Sequence, residues 1–167
     1  MMSLTKQYEE IEALKEKMLQ RVAAKSSNER HAKPLEGKWS EMQVLVHLME
    51  AETGVIAYIN KKMSDTGKLQ NAALGNWIKS KLLVLLLSLP LKFKAPKVLK
   101  EPSNEISLDD LTKQWTKNSA DIKAIIARMD NLEDKIVFKH PVAGYFNLSQ
   151  TFDFIYNHMQ HHYGQLK

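Results

Sequence analysis

The chain has no cysteine among its 167 residues, which removes disulfides, zinc–cysteine sites and a cysteine nucleophile together. Any metal it holds must be bound by His, Asp or Glu. The same absence suits a reducing compartment, and the cytoplasm is the expected location. Glycine and proline are scarce, six and five, and no alternating strand pattern occurs outside a short segment from Lys135 to Phe138. No apolar run is long enough to cross a membrane. The most apolar stretch, Leu82 to Leu91, contains Ser88 and Pro90 and is about half the roughly twenty residues a span needs, so a buried helix is the better reading. The N-terminus is charged from Lys6 onward, lacks the apolar core of a signal peptide, and reads as mature protein. Internal repeats and low-complexity tracts are also missing.

The formal net charge of +5 and pI near 9.3 raise nucleic acid or an anionic membrane surface as partners. The lysines are scattered, however, and form no recognition-helix, zinc-finger or RNA-platform pattern. Their densest group, Lys92, Lys94, Lys97 and Lys100, lies in a proline-containing linker, where solvated charge accounts for it. Neither nucleic acid nor membrane is an expected partner.

What remains is helical periodicity and enough apolar residues, 44%, to bury the core of one domain spanning residues 1–167. Five helices are expected. The first runs from about Ser3 to Ala24, with Tyr8, Ile11, Leu14, Met18 and Val22 as its apolar stripe, and ends in the polar stretch Ser26, Ser27, Asn28. The second opens at Ser40, where Ser40 and Gln43 match a capping box, and continues to about Met63. A third covers about Ala72 to Leu89 and stops at Pro90. The fourth starts after Ser107, with Asp109 and Asp110 in its first turn, and ends near Asp130 and Asn131. His140, Pro141, Val142, Ala143 and Gly144 read as a turn or loop, and the last helix follows Asn147. The fold class is all-α: a four-helix bundle whose long crossover, between its second and third bundle helices, contains the extra helix Ala72 to Leu89. A crossover that long can return the chain to its starting end, which makes the second and fourth helices parallel neighbours.

Histidine is the chemically distinctive residue. Of six in the chain, His158, His161 and His162 crowd into the last helix. At four residues apart, His158 and His162 project from one face and can chelate one ion. His162 falls in the core stripe of Leu148, Phe152, Ile155, Met159 and Leu166, His158 flanks it, and His161 is turned away toward the surface. Two histidines leave a zinc-type ion short of ligands. His47, among Val44, Val46, Leu48 and Ala51 on the second helix, is the best third donor; His140 is next, and His31, in a Lys/Arg-rich linker, is the poorest. A lone interior histidine is more often a hydrogen-bonded core residue than a ligand. Two neutral imidazoles facing a core without partners, by contrast, are costly. Glu52 is the second anomaly, since it lies among Leu45, Leu48, Val55, Ile56 and Ile59 on the apolar face of the second helix. It is the candidate catalytic residue, either orienting a ligating histidine or acting on a water; the bland alternative is a buried hydrogen bond to a Trp, Tyr or Lys of a neighbouring helix.

Two segments resemble the DinB-like superfamily, which includes metal-dependent hydrolases and the bacillithiol and mycothiol transferases. One is Trp39-Ser40 followed by Val46-His47-Leu48 and Glu52. The other is His140-Pro141, Gly144 and Phe146, leading to His158, His161-His162, Gly164, Gln165 and Leu166. The resemblance implies a bundle, often a homodimer, with nickel or zinc held by His47, His158 and His162; iron and manganese are further candidates. It also implies an enzyme that transfers a low-molecular-weight thiol to an electrophilic small molecule. A hydrolase using the same ligands is the first alternative. A non-catalytic bundle using the apolar Trp77 to Leu91 region for dimerisation or partner binding is another, and a membrane-surface protein using that region is a third.

Overall fold

A computed structural model describes residues 2–72, 74–88, 101–129 and 132–166. The chain is predominantly helical, as expected: α1 (Leu4–Ala23), α2 (Ser27–His31), α3 (Glu41–Met63), α4 (Leu74–Ser88), α5 (Leu108–Ala127) and α6 (Leu148–Tyr163), with one small hairpin of β1 (Phe138–His140) and β2 (Gly144–Phe146). α1, α3, α5 and α6 each start where a side chain can satisfy free amides. Ser3 accepts from Lys6 N, and Ser107 from Asp110 N. Ser40 with Gln43 and Asn147 with Gln150 form complete capping boxes.

Several boundaries differ from the sequence reading. The polar stretch after α1 is not a mere ending, because Ser26 and Glu29 build a third capping box and start the five-residue α2. α5 ends at Ala127 with Arg128 as its cap, short of the expected Asp130 and Asn131, which lie outside the described residues, as do Leu89, Pro90 and the lysine group Lys92 to Lys100. Ala72 is not helical; its N–H donates to Asp134 O. The extended segment expected at Lys135 to Phe138 is shifted. Lys135 makes an isolated bridge to Asn71, and the ladder begins at Phe138, pairing Phe138 with Phe146 and His140 with Gly144. Pro141 to Ala143 form the expected turn, and His140 and Gly144 are the strand ends that pair across it. Gly144 takes φ +86°, which a side chain would resist.

α1, α3, α5 and α6 surround one core whose fully buried members include Ile11, Met42, Leu45, Trp115 and Phe152. Thr53 hydrogen bonds Asn118 and Asn60 accepts from Arg128, so contacts advance together along α3 and α5 and the two run parallel. Gln7 meets Asp153, and Arg21 lies over Tyr163, so α1 and α6 are parallel as well. Lys25 pairs with Glu41 and Lys15 with Glu52, which sets α1 antiparallel to α3. α4, inside the crossover, packs on α6. It is not the buried helix its composition suggests: Trp77, Ile78, Leu82 and Leu85 are all more than half exposed. Among the described residues no helix is long and apolar enough to cross a membrane.

Among the described residues, one ion pair has both partners buried in the core. Lys15 and Glu52 are buried, with Lys15 Nζ 3.2 Å from Glu52 Oε1, 2.9 Å from Ser119 Oγ and 2.7 Å from Glu12 Oε1. Asn118 Nδ2 donates to Glu52 Oε2 at 3.1 Å. Removing one partner of such a pair strands a buried charge at a cost of about 3–5 kcal/mol, whereas replacing both with apolar groups is often close to neutral. Lys15→Met should therefore lower the free energy of unfolding by about 3 kcal/mol in urea titrations, and the double change Lys15→Met with Glu52→Met should recover most of that loss.

Candidate metal centre

α3 and α6 carry the site. The Ser40 cap starts α3 so that His47 comes round to the side facing α6, and the Asn147 cap starts α6 so that His158 and His162 fall on its inner edge in the last two turns. The three rings meet. Their centroids lie 5.1 Å apart for His47 and His158, 4.9 Å for His47 and His162, and 4.8 Å for His158 and His162. His47 Nε2 and His158 Nε2 are 3.2 Å apart, and one ligand nitrogen from each of the three lies within 4.8 Å of the others. A tetrahedral ion with bonds of about 2.0–2.1 Å separates its ligand nitrogens by roughly 3.4 Å, so the His47–His158 pair already has ligand spacing. His162 Nδ1 lies 3.1 Å from Gln165 Oε1. Only a protonated Nδ1 can donate there, which leaves Nε2 with its lone pair.

Aromatic rings wall the cluster. The Trp39 ring stacks on His162 at 6.4 Å and lies 5.1 Å from His47, while Phe154 stacks on His158 at 5.4 Å. Burial in this setting disfavours charge on every imidazole. Desolvation lowers the His47 pKa, and pushes His162 down to about 4 with help from the neighbouring His47. His158 falls well below its ordinary value, first by burial and then by the charges His162 and His47 would carry. Neutral imidazoles are what a metal requires.

His140, the runner-up as third ligand, is not in the cluster. Its Nδ1 accepts the amide N–H groups of Val142 and Ala143 at 3.2 and 3.1 Å, and its ring packs 4.7 Å from Phe154. Burial lowers its pKa to about 4. His31 is remote, with Nδ1 2.6 Å from Ser27 O and Nε2 3.3 Å from Ile106 O. His161 sits edge-on to His162 at 5.3 Å, outside the convergent group of three. Glu52 makes no hydrogen bond to the three histidines; its carboxylate is held by Lys15 and Asn118, the Lys partner being one of the bland alternatives. Sequence reasoning gave Phe154 no role, although its place one turn before His158 is the signal that could have found it.

The depressed pKa values fix a pH dependence. An unfolded histidine takes up a proton near pH 6.5, but His162 in the folded apo-protein does so only near 4. Between those values the unfolded state binds more protons, so stability is full above about pH 6.5 and falls as pH drops toward 4. At about 1.4 kcal/mol per pH unit, His162 alone contributes on the order of 3 kcal/mol to that loss. Metal affinity follows the same direction, because protons compete for the same nitrogens. We expect metal binding to persist at pH 6 and to collapse on approach to pH 4, measured by competition titration. Loss already complete at pH 6 would contradict the buried, neutral cluster.

A family model described as the DinB superfamily matches residues 10–166. Comparison with curated proteins and with solved structures gives no match. The matched span takes in α3, the crossover and α6 with all three convergent histidines, and this chain belongs to the DinB superfamily.

Proposed function

We propose that the protein is a metal-dependent enzyme that transfers a low-molecular-weight thiol to an electrophilic small molecule, with nickel or zinc, or else iron or manganese, held by His47, His158 and His162. The observation that carries the metal is the meeting of three partly buried, neutral imidazoles from two helices. No acidic group hydrogen bonds their convergent nitrogens among the described residues, and such a cluster is expensive to keep unless an ion uses its lone pairs. A divalent ion held by three imidazoles acts as a Lewis acid that lowers the pKa of a thiol or of water. The chain's own groups do the rest. Gln165 fixes the His162 tautomer, Trp39 and Phe154 shield the cluster from water, and burial keeps the imidazoles unprotonated near neutral pH. Thiol transfer needs no redox partner. The thiol gives up its proton to solvent, its sulfur forms a bond to the electrophilic carbon, and the leaving group departs with the bonding electron pair.

Protein purified without a histidine tag should contain about one equivalent of one of these metals by elemental analysis. His47→Ala and His162→Ala should each lose more affinity than the roughly 10–100-fold that an outer partner contributes. Incubation of loaded protein with a small thiol and an electrophile should give the thioether by mass spectrometry, and His47→Ala should not. Hydrolysis of the electrophile instead would assign the site to a hydrolase, and absence of bound metal after reloading would defeat both readings.

The exposed side of α4 supports a homodimer as the working assembly. Trp77, Ile78, Leu82 and Leu85 present adjoining apolar surface that water disfavours. Light scattering should give twice the chain mass for the native protein and the chain mass for Trp77→Ser combined with Leu82→Ser; a monomeric native protein would overturn this assembly.

A further inference from the structure

Between α3 and α6, next to the histidine cluster, lies a cavity of about 10 Å³ lined by Glu52 and His158 together with apolar side chains that include Ala51, Val55 and Ile155. That volume takes about one water, and cavities that stay dry are apolar throughout. Of the two polar linings, Glu52 holds a buried acceptor that lacks a hydrogen bond, and His158 offers a ring nitrogen. Glu52 Oε2 is occupied by Asn118 at 3.1 Å and Lys15 at 3.4 Å, but Oε1, although 3.2 Å from Lys15 Nζ, accepts no hydrogen bond. His158 directs Nε2 at His47, and no hydrogen bond to its Nδ1 is present among the described residues. A histidine that gives Nε2 to a metal carries its proton on Nδ1, where it ordinarily donates to a carboxylate, a carbonyl or a water.

We infer that a buried water in this cavity accepts from His158 Nδ1–H and donates to Glu52 Oε1, which makes Glu52 a positioning residue for the metal ligand His158. The link rests on the metal reading above. It also gives the Lys15–Asn118 network a role at the site: from α1 and α5, Lys15 lies against both carboxylate oxygens and Asn118 donates to Oε2, so Oε1 is the oxygen that still lacks a hydrogen bond. The carboxylate reaches the centre through a single water and a single imidazole, and it touches neither substrate nor ion.

Two variants test the link by different means. Glu52→Gln removes the carboxylate charge and keeps the side-chain length, while Ala51→Val fills the cavity without touching the Lys15–Glu52 pair. Each should weaken zinc binding by roughly 10–100-fold in competition titrations. In zinc-loaded wild type the His158 Nδ1–H should give a slowly exchanging NMR resonance that Ala51→Val loses, a change that a purely structural role for Glu52 would not produce. Should Glu52→Gln fail to fold, Ala51→Val decides. Wild-type zinc affinity in Ala51→Val with the resonance retained would overturn the water link and leave the metal centre standing, whereas a wild type that binds no zinc, nickel, iron or manganese would remove the centre itself.

Discussion

The approach of α3 to α6 at the histidines is the constraint on which the site depends. α6 packs broadly on α1 and α4 but only lightly on α3, so its position is set from its far sides while its inner edge faces α3 across imidazoles. Had apolar residues filled this crossing, burial would have closed it at an area-dependent gain for each side chain. Rings with lone pairs occupy it instead, 4.8–5.1 Å apart between centroids. An ion seated there ties together two helices that otherwise share little surface. An ion that bound only the folded chain would raise its stability with ion concentration, through the same rings that join the two helices.

Burial sets the electrostatics on both sides of this crossing, with opposite consequences. The histidines lose their charge, as desolvation lowers His158 and His162. At Glu52 burial raises the carboxyl pKa while the Lys15 charge and the Asn118 hydrogen bond pull it down. A buried acid held by a lysine and an amide has hydrogen bonds at one oxygen only. The region is thus polar in two halves, one that holds a charged pair inside the core and one whose imidazoles burial keeps neutral.

Much of this was legible in the chain because it follows from local rules. Ser40, Ser107 and Asn147 announce helix starts through hydrogen bonds that span three residues, and the His158–His162 pair follows from helical pitch alone. His47 was harder. Its place inside the second helix, among Val44, Val46, Leu48 and Ala51 on the edge of an apolar arc, ranked it above His140, and the resemblance to a family pattern strengthened that choice. What the sequence could not settle was long-range. The partner of Glu52 lies on α1 and is set by tertiary packing, not by spacing. The hairpin depends on Phe138 finding Phe146 across a turn that ends at Gly144, and three-residue strands carry too little alternation to be seen. α4 misled for a different reason: leucine-rich composition reports how apolar a helix is, not how many of its sides find a neighbour.

The hairpin and α4 also explain how α6 fixes two candidate ligands at its C-terminal end, where helices usually fray. At its start, Leu148 and the preceding Phe146 of β2 are fully buried. In its first two turns Asp153 is gripped from two directions, by Gln7 of α1 at 2.8 Å and by Lys81 of α4 at 2.8 Å. At its far end Arg21 lies over Tyr163, and Leu166 is buried just beyond Gly164. The helix is therefore held at both ends and along the side away from α3. A histidine pair carried on such a helix would need little further ordering if an ion bound there, and preorganisation of that kind favours binding.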